Sequence, residues 1–471
     1  MLNKLQPALL IAQREIRDQF RDWRIIFPIL GLTVFFPFLM NFTAEQILGF
    51  VQKYGANIIG ERLVPFLLMV VGFFPISVSL VIALETFVGE KERGSIEPLL
   101  NTPLKDWQLY LGKLLSATVY PLLSSYLGMG FYLTGLYINH IPLPEASVLI
   151  LVLVLTTVQA LVMVTGAVVV SSQATSVRAA NLLASFIIIP IALLIQGESV
   201  VMFWGTYESL WWAVFGLLVL GILLARVGLV HFQREELLGR EIDVLNVRWM
   251  WRVYRRGFTR EAKSFWAWWV KLFPDTFREL KRSILVVTAI MVVAILVGVW
   301  ETHNYFVALG QSGIQGMNSQ LNSLVKIWPL FSIAPVMAIW WQNIRVLLLS
   351  FILGTFSFGI LGVIPVMATM FVAGYLFGLL TGNGLPVLSY LAFILPHGII
   401  EIPAAILATA AIVQVGAVLA TPIPGKTFGE VWLIGLAGWS RVMLGIVIPL
   451  LLIGACIEAW ITPRIALLFF H

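Results

Sequence analysis

The sequence predicts an all-α, polytopic membrane protein. About eleven transmembrane helices fall in two modules, six and then five, behind an N-terminal interfacial helix. Three observations predict this. Runs of about 20 apolar residues recur along the chain, each long enough to cross the roughly 30 Å hydrocarbon core as a helix. Hydrophobic residues make up 59% of the chain and charged residues only 11%, against about 25% charged in a soluble domain. The alternating ten-residue segments of a transmembrane barrel do not occur in the sequence. Mean hydropathy is +0.94. The single cysteine, Cys456, lies in an apolar run, so the fold does not depend on an intrachain disulfide.

Residues 1–24 read as a helix lying flat in the headgroup region. Leu2, Leu5, Leu9, Ala12, Ile16, Phe20 and Trp23 recur at three- and four-residue spacing, while Arg14, Arg17, Asp18 and Arg21 face away. A cytosolic helix packed on a partner has the same periodicity. The segment is polar and amphipathic, and it lacks the short apolar core and small-residue cleavage site of a signal peptide. Six spans follow, at about 25–40, 65–84, 114–137, 147–170, 180–196 and 210–230. Five more are expected at about 284–300, 343–361, 364–380, 388–419 and 442–461, the tenth interrupted near Pro396.

Loop charge orients the spans. The N-terminus, the 85–113 loop, the 171–178 loop, the stretch Arg226–Arg282 and the 420–441 loop together hold 25 of the 30 Lys and Arg residues. Positive charge stays inside, so the N-terminus is expected in the cytoplasm of a bacterial or archaeal cell and the C-terminus outside. Arg345, beside Trp340 and Trp341, falls on the opposite side and suggests a re-entrant or interfacial segment there.

Between the modules, residues 231–283 carry twelve Lys and Arg against seven Asp and Glu, which accounts for +5 of the net +6. Interleaved Arg and Trp, as in Arg248-Trp-Met-Trp-Arg-Val-Tyr-Arg-Arg256, also occur in RNA-binding segments. In a polytopic protein the favoured partner is the anionic leaflet of the lipid bilayer, with Trp and Tyr at headgroup level, and no nucleic acid is expected. The chain thus divides into a first membrane domain (1–235), a basic amphipathic linker (236–283) and a second membrane domain (284–471).

The most informative loop lies between the second and third spans. Gly94 and Ser95 can start a helix there, Ser95 as N-cap, with Glu97 favoured in the first turn and Pro98 tolerated. Ile96, Leu99, Leu100 and Pro103 can face the bilayer, while Glu90, Lys91, Glu92, Arg93 and Lys105 stay wet. On physical grounds alone, such a loop does no more than satisfy orientation. Its letters go further. The run Glu92-Arg-Gly-Ser-Ile-Glu-Pro-Leu-Leu-Asn-Thr-Pro-Leu104, followed by Gly112-Lys113, resembles the first cytoplasmic loop of type-2 ABC-transporter permeases. That family's pattern has a plain residue where Pro98 stands. The resemblance implies a coupling helix that docks on a separate ABC ATPase subunit through Glu90, Glu92, Arg93, Gly94, Ser95, Glu97, Leu99, Leu100, Thr102 and Pro103. It also implies that residues 1–24 form the connecting helix, and that the chain pairs as a homodimer. ATP and Mg would then sit on the partner, with no cofactor, metal or catalytic residue in this chain. Gly425-Lys426-Thr427 is a decoy, because a phosphate loop needs glycine five positions before Gly425 and Ala420 stands there.

In the second module His397 and Glu401 lie within a long apolar span. At i and i+4 they share a helix face, and so costly a pair belongs in the bundle interior or a watery cavity. Pro396, Gly398 and Pro403 loosen the same helix. The segment Pro396-His-Gly-Ile-Ile-Glu401, following Asn383-Gly384, resembles the stage II sporulation protein M family over roughly residues 275–465. The pair admits three roles: proton or cation relay, metal ligation, or structural polar contact. Two side chains are too few for a typical metal site. Glu458 and Asn343 are possible further members of this intramembrane polar site. The leading reading is the permease subunit of an ATP-driven exporter with a fused accessory module. The alternative is a non-transporting membrane scaffold for envelope-remodelling partners. An intramembrane enzyme is disfavoured, because no other paired carboxylate, metal cluster or Ser/His/Asp set occurs at membrane depth. Permeases of this type move ions, peptides, lipids and glycans.

Overall fold

The computed structural model describes residues 2–54, 57–95, 97, 101–174, 176–204, 207–232, 247–304, 306–307, 330–421, 426 and 428–469. All regular structure among them is helical. The chain divides into two compact units, Met1–Leu245 and Asn246–His471.

The first unit contains α1 (Leu2–Gln19), α2 (Trp23–Tyr54), α3 (Asn57–Glu92), α4 (Asp106–Ile138), α5 (Ala146–Gln173), α6 (Val177–Trp204) and α7 (Leu210–His231). The second contains α8 (Val247–Thr259), α9 (Phe265–Glu301), α10 (Ile333–Phe356), α11 (Ile364–Gly382), α12 (Val387–Leu419), α13 (Phe428–Val442), α14 (Ile448–Trp460) and α15 (Thr462–Phe469). Ten helices among the described residues are long and apolar enough to cross a membrane, against the eleven spans expected. The span expected at 180–196 has no counterpart among the ten. It falls within α6, a helix of 28 residues.

The helices outrun the apolar runs that predict them. α3 continues through Glu90, Lys91 and Glu92, residues that favour helix but carry no hydropathy signal. The largest difference is at 420–441, expected as a loop. Helix α13 begins there at Phe428 and passes through a π turn, Met443–Val447, into α14. Its Arg441 is 2% exposed and donates to Glu279 Oε2 at 3.1 Å, so a charge that reads as loop is paired inside the unit. The expected break in the tenth span is also absent: α12 runs unbroken through Pro396 and Pro403, as transmembrane helices do when neighbours satisfy the freed backbone. α10 likewise runs unbroken through Trp340, Trp341 and Arg345. The basic stretch expected as a linker falls partly outside the described residues. The remainder forms α8 and the first turns of α9.

In the first unit α3 is central, packed against α2, α4, α5 and α6. Helix α1 lies on α4. A side-chain carbon on Gly112 would come within 2.7 Å of the Ala8 carbonyl, so glycine sets this approach. Ala8 and Ala12 are buried here, while Leu5 and Leu9, and beyond the helix Phe20 and Trp23, remain exposed. The helix therefore has a seat on the bundle and leaves most of its apolar stripe open.

In the second unit α12 is central, with α9, α10, α13, α14 and α15 around it. Helices α9 and α11 meet backbone to backbone. A side-chain carbon on Gly298 would collide with the Phe371 carbonyl, and one on Gly374 with the Ile295 carbonyl. Small residues let membrane helices approach this closely and gain van der Waals contact. Pro449 cannot donate to the Gly445 carbonyl one turn earlier. Trp269 Nε1 from α9 donates to that oxygen instead, at 3.2 Å.

Candidate functional site

The charged loop grows from the end of α3, and the structure shows how that end is held. Ser171 Oγ of α5 accepts from the N–H groups of Phe87 and Val88 at 2.9 and 3.2 Å. One turn on, Glu90 Oε1 accepts from Lys113 Nζ of α4 at 2.6 Å. The same ammonium reaches Glu15 Oε1 of α1 at 3.3 Å and lies 5.7 Å from the Phe87 ring centre. Lys113 is 1% exposed. An ammonium so buried requires counter-charge, and two carboxylates from different helices supply it. Glu92 Oε1 accepts from the backbone N–H of Val177 at 2.7 Å. Val177 is the first residue of α6, where free N–H groups and the helix dipole favour an anion. The root of the loop is therefore fastened to α1, α4, α5 and α6.

Beyond Glu92 the helix ends on Gly94, at φ +68°. Gly94 N–H bonds to the Lys91 carbonyl and Ser95 N–H to the Glu90 carbonyl, at 3.2 and 3.0 Å. This is a Schellman closure, which needs a left-handed residue and so glycine. The expected roles of Gly94 and Ser95 are thus corrected. Gly94 ends α3 rather than opening the next helix. The Ser95 hydroxyl turns back to the Glu90 carbonyl at 3.4 Å instead of capping forward. Glu97 is helical and exposed, and Asn101 N–H closes a helical turn on its carbonyl at 3.0 Å. Arg93 and Pro103 are exposed and Thr102 half-buried. Leu99 and Leu100, with Ile96 and Pro98, lie outside the described residues, as do Gly425 and Thr427. Gln108 Oε1 accepts from Lys105 N–H at 3.0 Å and so starts α4.

Two features of this unit lay beyond the sequence reading. Lys113 is visible as a lone cation early in an apolar helix, but Glu15 stands 98 positions away. Gln159 of α5 donates to Glu198 Oε2 of α6 at 2.6 Å, with both residues at 4% exposure or less. The signal for that pair was a glutamine midway along a span and a carboxylate near the end of the next.

In the second unit the structure brings the four intramembrane candidates together. His397 and Glu401 project from one face of α12, and Glu458 faces them from α14. One ligand atom from each of the three lies within 4.8 Å of the other two. Asn343 of α10 lies beside Glu401. Opposite Glu401 stands Gly454, where a side-chain carbon would come within 2.7 Å of the carboxylate oxygen Oε1. His397 Nδ1 is 3.1 Å from Thr462 Oγ1, and that hydroxyl lies 3.2 Å from the Ile457 carbonyl.

On α8, Arg248, Arg252, Arg255 and Arg256 are exposed. Trp251, Tyr254, Phe258 and Trp268 stack successively at 5.7, 6.0 and 5.3 Å. A cationic edge above an aromatic ladder suits an anionic lipid surface. A peptide of residues 247–259 is expected to partition into anionic vesicles and to leave them in high salt. Each Arg near the surface contributes about 1 kcal/mol, and the attraction falls as the Debye length shrinks. Tryptophan fluorescence during vesicle titration measures it. Equal, salt-insensitive binding to neutral vesicles would remove the electrostatic part.

In comparison with known proteins, a stretch within each unit matches a family model. Residues 9–208 match the family model described as ABC-2 family transporter protein. Residues 284–463 match that described as Stage II sporulation protein M. No curated protein and no solved structure matches the chain.

Proposed function

We propose that this chain, an ABC-2 family transporter domain fused to a SpoIIM domain, is the permease subunit of an ATP-driven exporter. As a multi-pass transporter membrane subunit it supplies the path. A separate ABC ATPase supplies ATP and Mg binding and docks on the loop after α3. Two copies of the chain pair with two ATPase subunits in the cell membrane, with the N-terminus and this loop in the cytoplasm. The observation that carries the reading is the root of the loop. A push on a free loop is lost in bending, whereas this root is fixed by Ser171, Lys113, Glu15 and the N-terminus of α6. Force applied near Glu97 therefore reaches four helices.

Glu97→Lys tests it. Glu97 is exposed and heads a helical turn. Reversing its charge costs only about 0.3–1 kcal/mol locally, too little to unfold the unit. ATPase co-purification and ATP-driven transport are expected to fall sharply in a variant that elutes and melts like wild type. Unchanged association and transport would take the coupling role away from this loop.

A further inference from the structure

We propose that His397, Glu401 and Glu458 bind one first-row divalent cation inside the second unit. The inference is independent of the exporter reading.

His397 and Glu401 occupy successive turns of α12 and Glu458 comes from α14, so the three ligands arrive from two helices that already pack together. One atom from each converges within 4.8 Å. Small side-chain rotations bring them to the roughly 2.0–2.2 Å at which nitrogen and oxygen bind Zn²⁺. A histidine with two carboxylates suits Zn²⁺, Mn²⁺ or Fe²⁺. Three protein ligands leave a position open for water or another group, as in sites that are not purely structural.

Three further features suit a cation. The first is the tautomer. If the Thr462 hydroxyl donates to the Ile457 carbonyl, its lone pairs are left to accept from His397 Nδ1. That arrangement puts the ring proton on Nδ1 and the free lone pair on Nε2. It is the outer-sphere hydrogen bond that orients metal-bound histidines. The second is charge. Two carboxylates this close repel, and in an apolar span each is costly. One divalent cation makes the cluster neutral with both ionised. The third is space and shielding. Gly454 leaves room for the Glu401 carboxylate. Glu401 Oε1 is shielded from solvent, and the Asn343 side chain of α10 is the polar group beside that carboxylate.

The test uses the full chain, tag removed, in lipid nanodiscs. It is stripped with a chelator and dialysed against buffered Zn²⁺ or Mn²⁺, with bound metal counted by mass spectrometry. One equivalent per chain is expected to bind and to raise the melting temperature. His397→Gln and Glu458→Gln should each weaken that equivalent at least tenfold. Thr462→Val should keep the stoichiometry but lower affinity about 10–100-fold, the usual effect of losing an outer-sphere partner. Thr462→Val retains all three ligands, so it decides the matter should a ligand variant misfold. No stoichiometric Zn²⁺ or Mn²⁺ on the wild-type chain would overturn the proposal. So would binding of equal strength in wild type and Thr462→Val.

Discussion

Lys113→Met is expected to loosen α1 from the first unit and to abolish transport. The substitution keeps the length and apolar body of the side chain but removes the charge shared by Glu15 and Glu90. Their carboxylates would then face one another across a slot built for an ammonium. Removing one partner of a buried ion pair costs about 3–5 kcal/mol. The lower figure applies here, because Glu15 and Glu90 keep 21% and 22% side-chain exposure. Thermal unfolding of the chain in nanodiscs measures the loss, and protease sensitivity of residues 2–19 reports the release of α1. The triple variant Glu15→Gln/Lys113→Met/Glu90→Gln removes the repulsion and should recover most of the stability while leaving transport low. A single variant as stable as wild type, with α1 still protected, would show that the cluster does not hold the helix.

Gly374→Val should be as damaging in the second unit. Overpacking a well-filled interior costs about 1–3 kcal/mol when neighbours can shift. Here the obstacle is the Ile295 carbonyl of α9, part of a helix backbone, and Gly298 faces α11 in the same way. No rotamer change makes room, so the two helices must separate. Little monodisperse protein is expected on size exclusion, from Gly298→Val as well. The double variant should be no worse than either single one, because both disrupt one contact and neighbouring effects do not add. Wild-type yield and melting from Gly374→Val would show that α9 and α11 do not meet backbone to backbone.

What was legible in the sequence follows from which interactions are local. Apolar runs located the spans, because crossing a bilayer is a demand on each segment separately. Helix ends were less legible. The polar turn Glu90–Glu92 carries no hydropathy, and the apolar start of α13 is separated from the next apolar run by Arg441, which reads as a loop charge until Glu279, 162 positions earlier, is placed beside it. Gly94 shows a subtler limit. A glycine between two helical stretches can close the first or open the second, and only its positive φ with the bonds to Lys91 and Glu90 distinguishes them. His397 and Glu401 were legible as a pair because i and i+4 share a helix face. That Glu458 completes the triad depends on how α14 packs on α12, and spacing does not encode that. The fastening of Lys113 to Glu15 and Glu90 was hidden for the same reason.

The seat of α1 has a consequence for the height of the loop. One side of this helix is clasped to the bundle through Gly112 and Lys113, and the other presents Leu5 and Leu9 to its surroundings, with Phe20 and Trp23 exposed just beyond its end. On the proposed reading those side chains settle at the boundary between headgroups and acyl chains, which would make α1 a float and Lys113 its mooring line. Because the same ammonium grips Glu90, the lipid surface would then be the datum from which the loop is levelled. A bilayer that swells or thins would carry float, mooring and loop together.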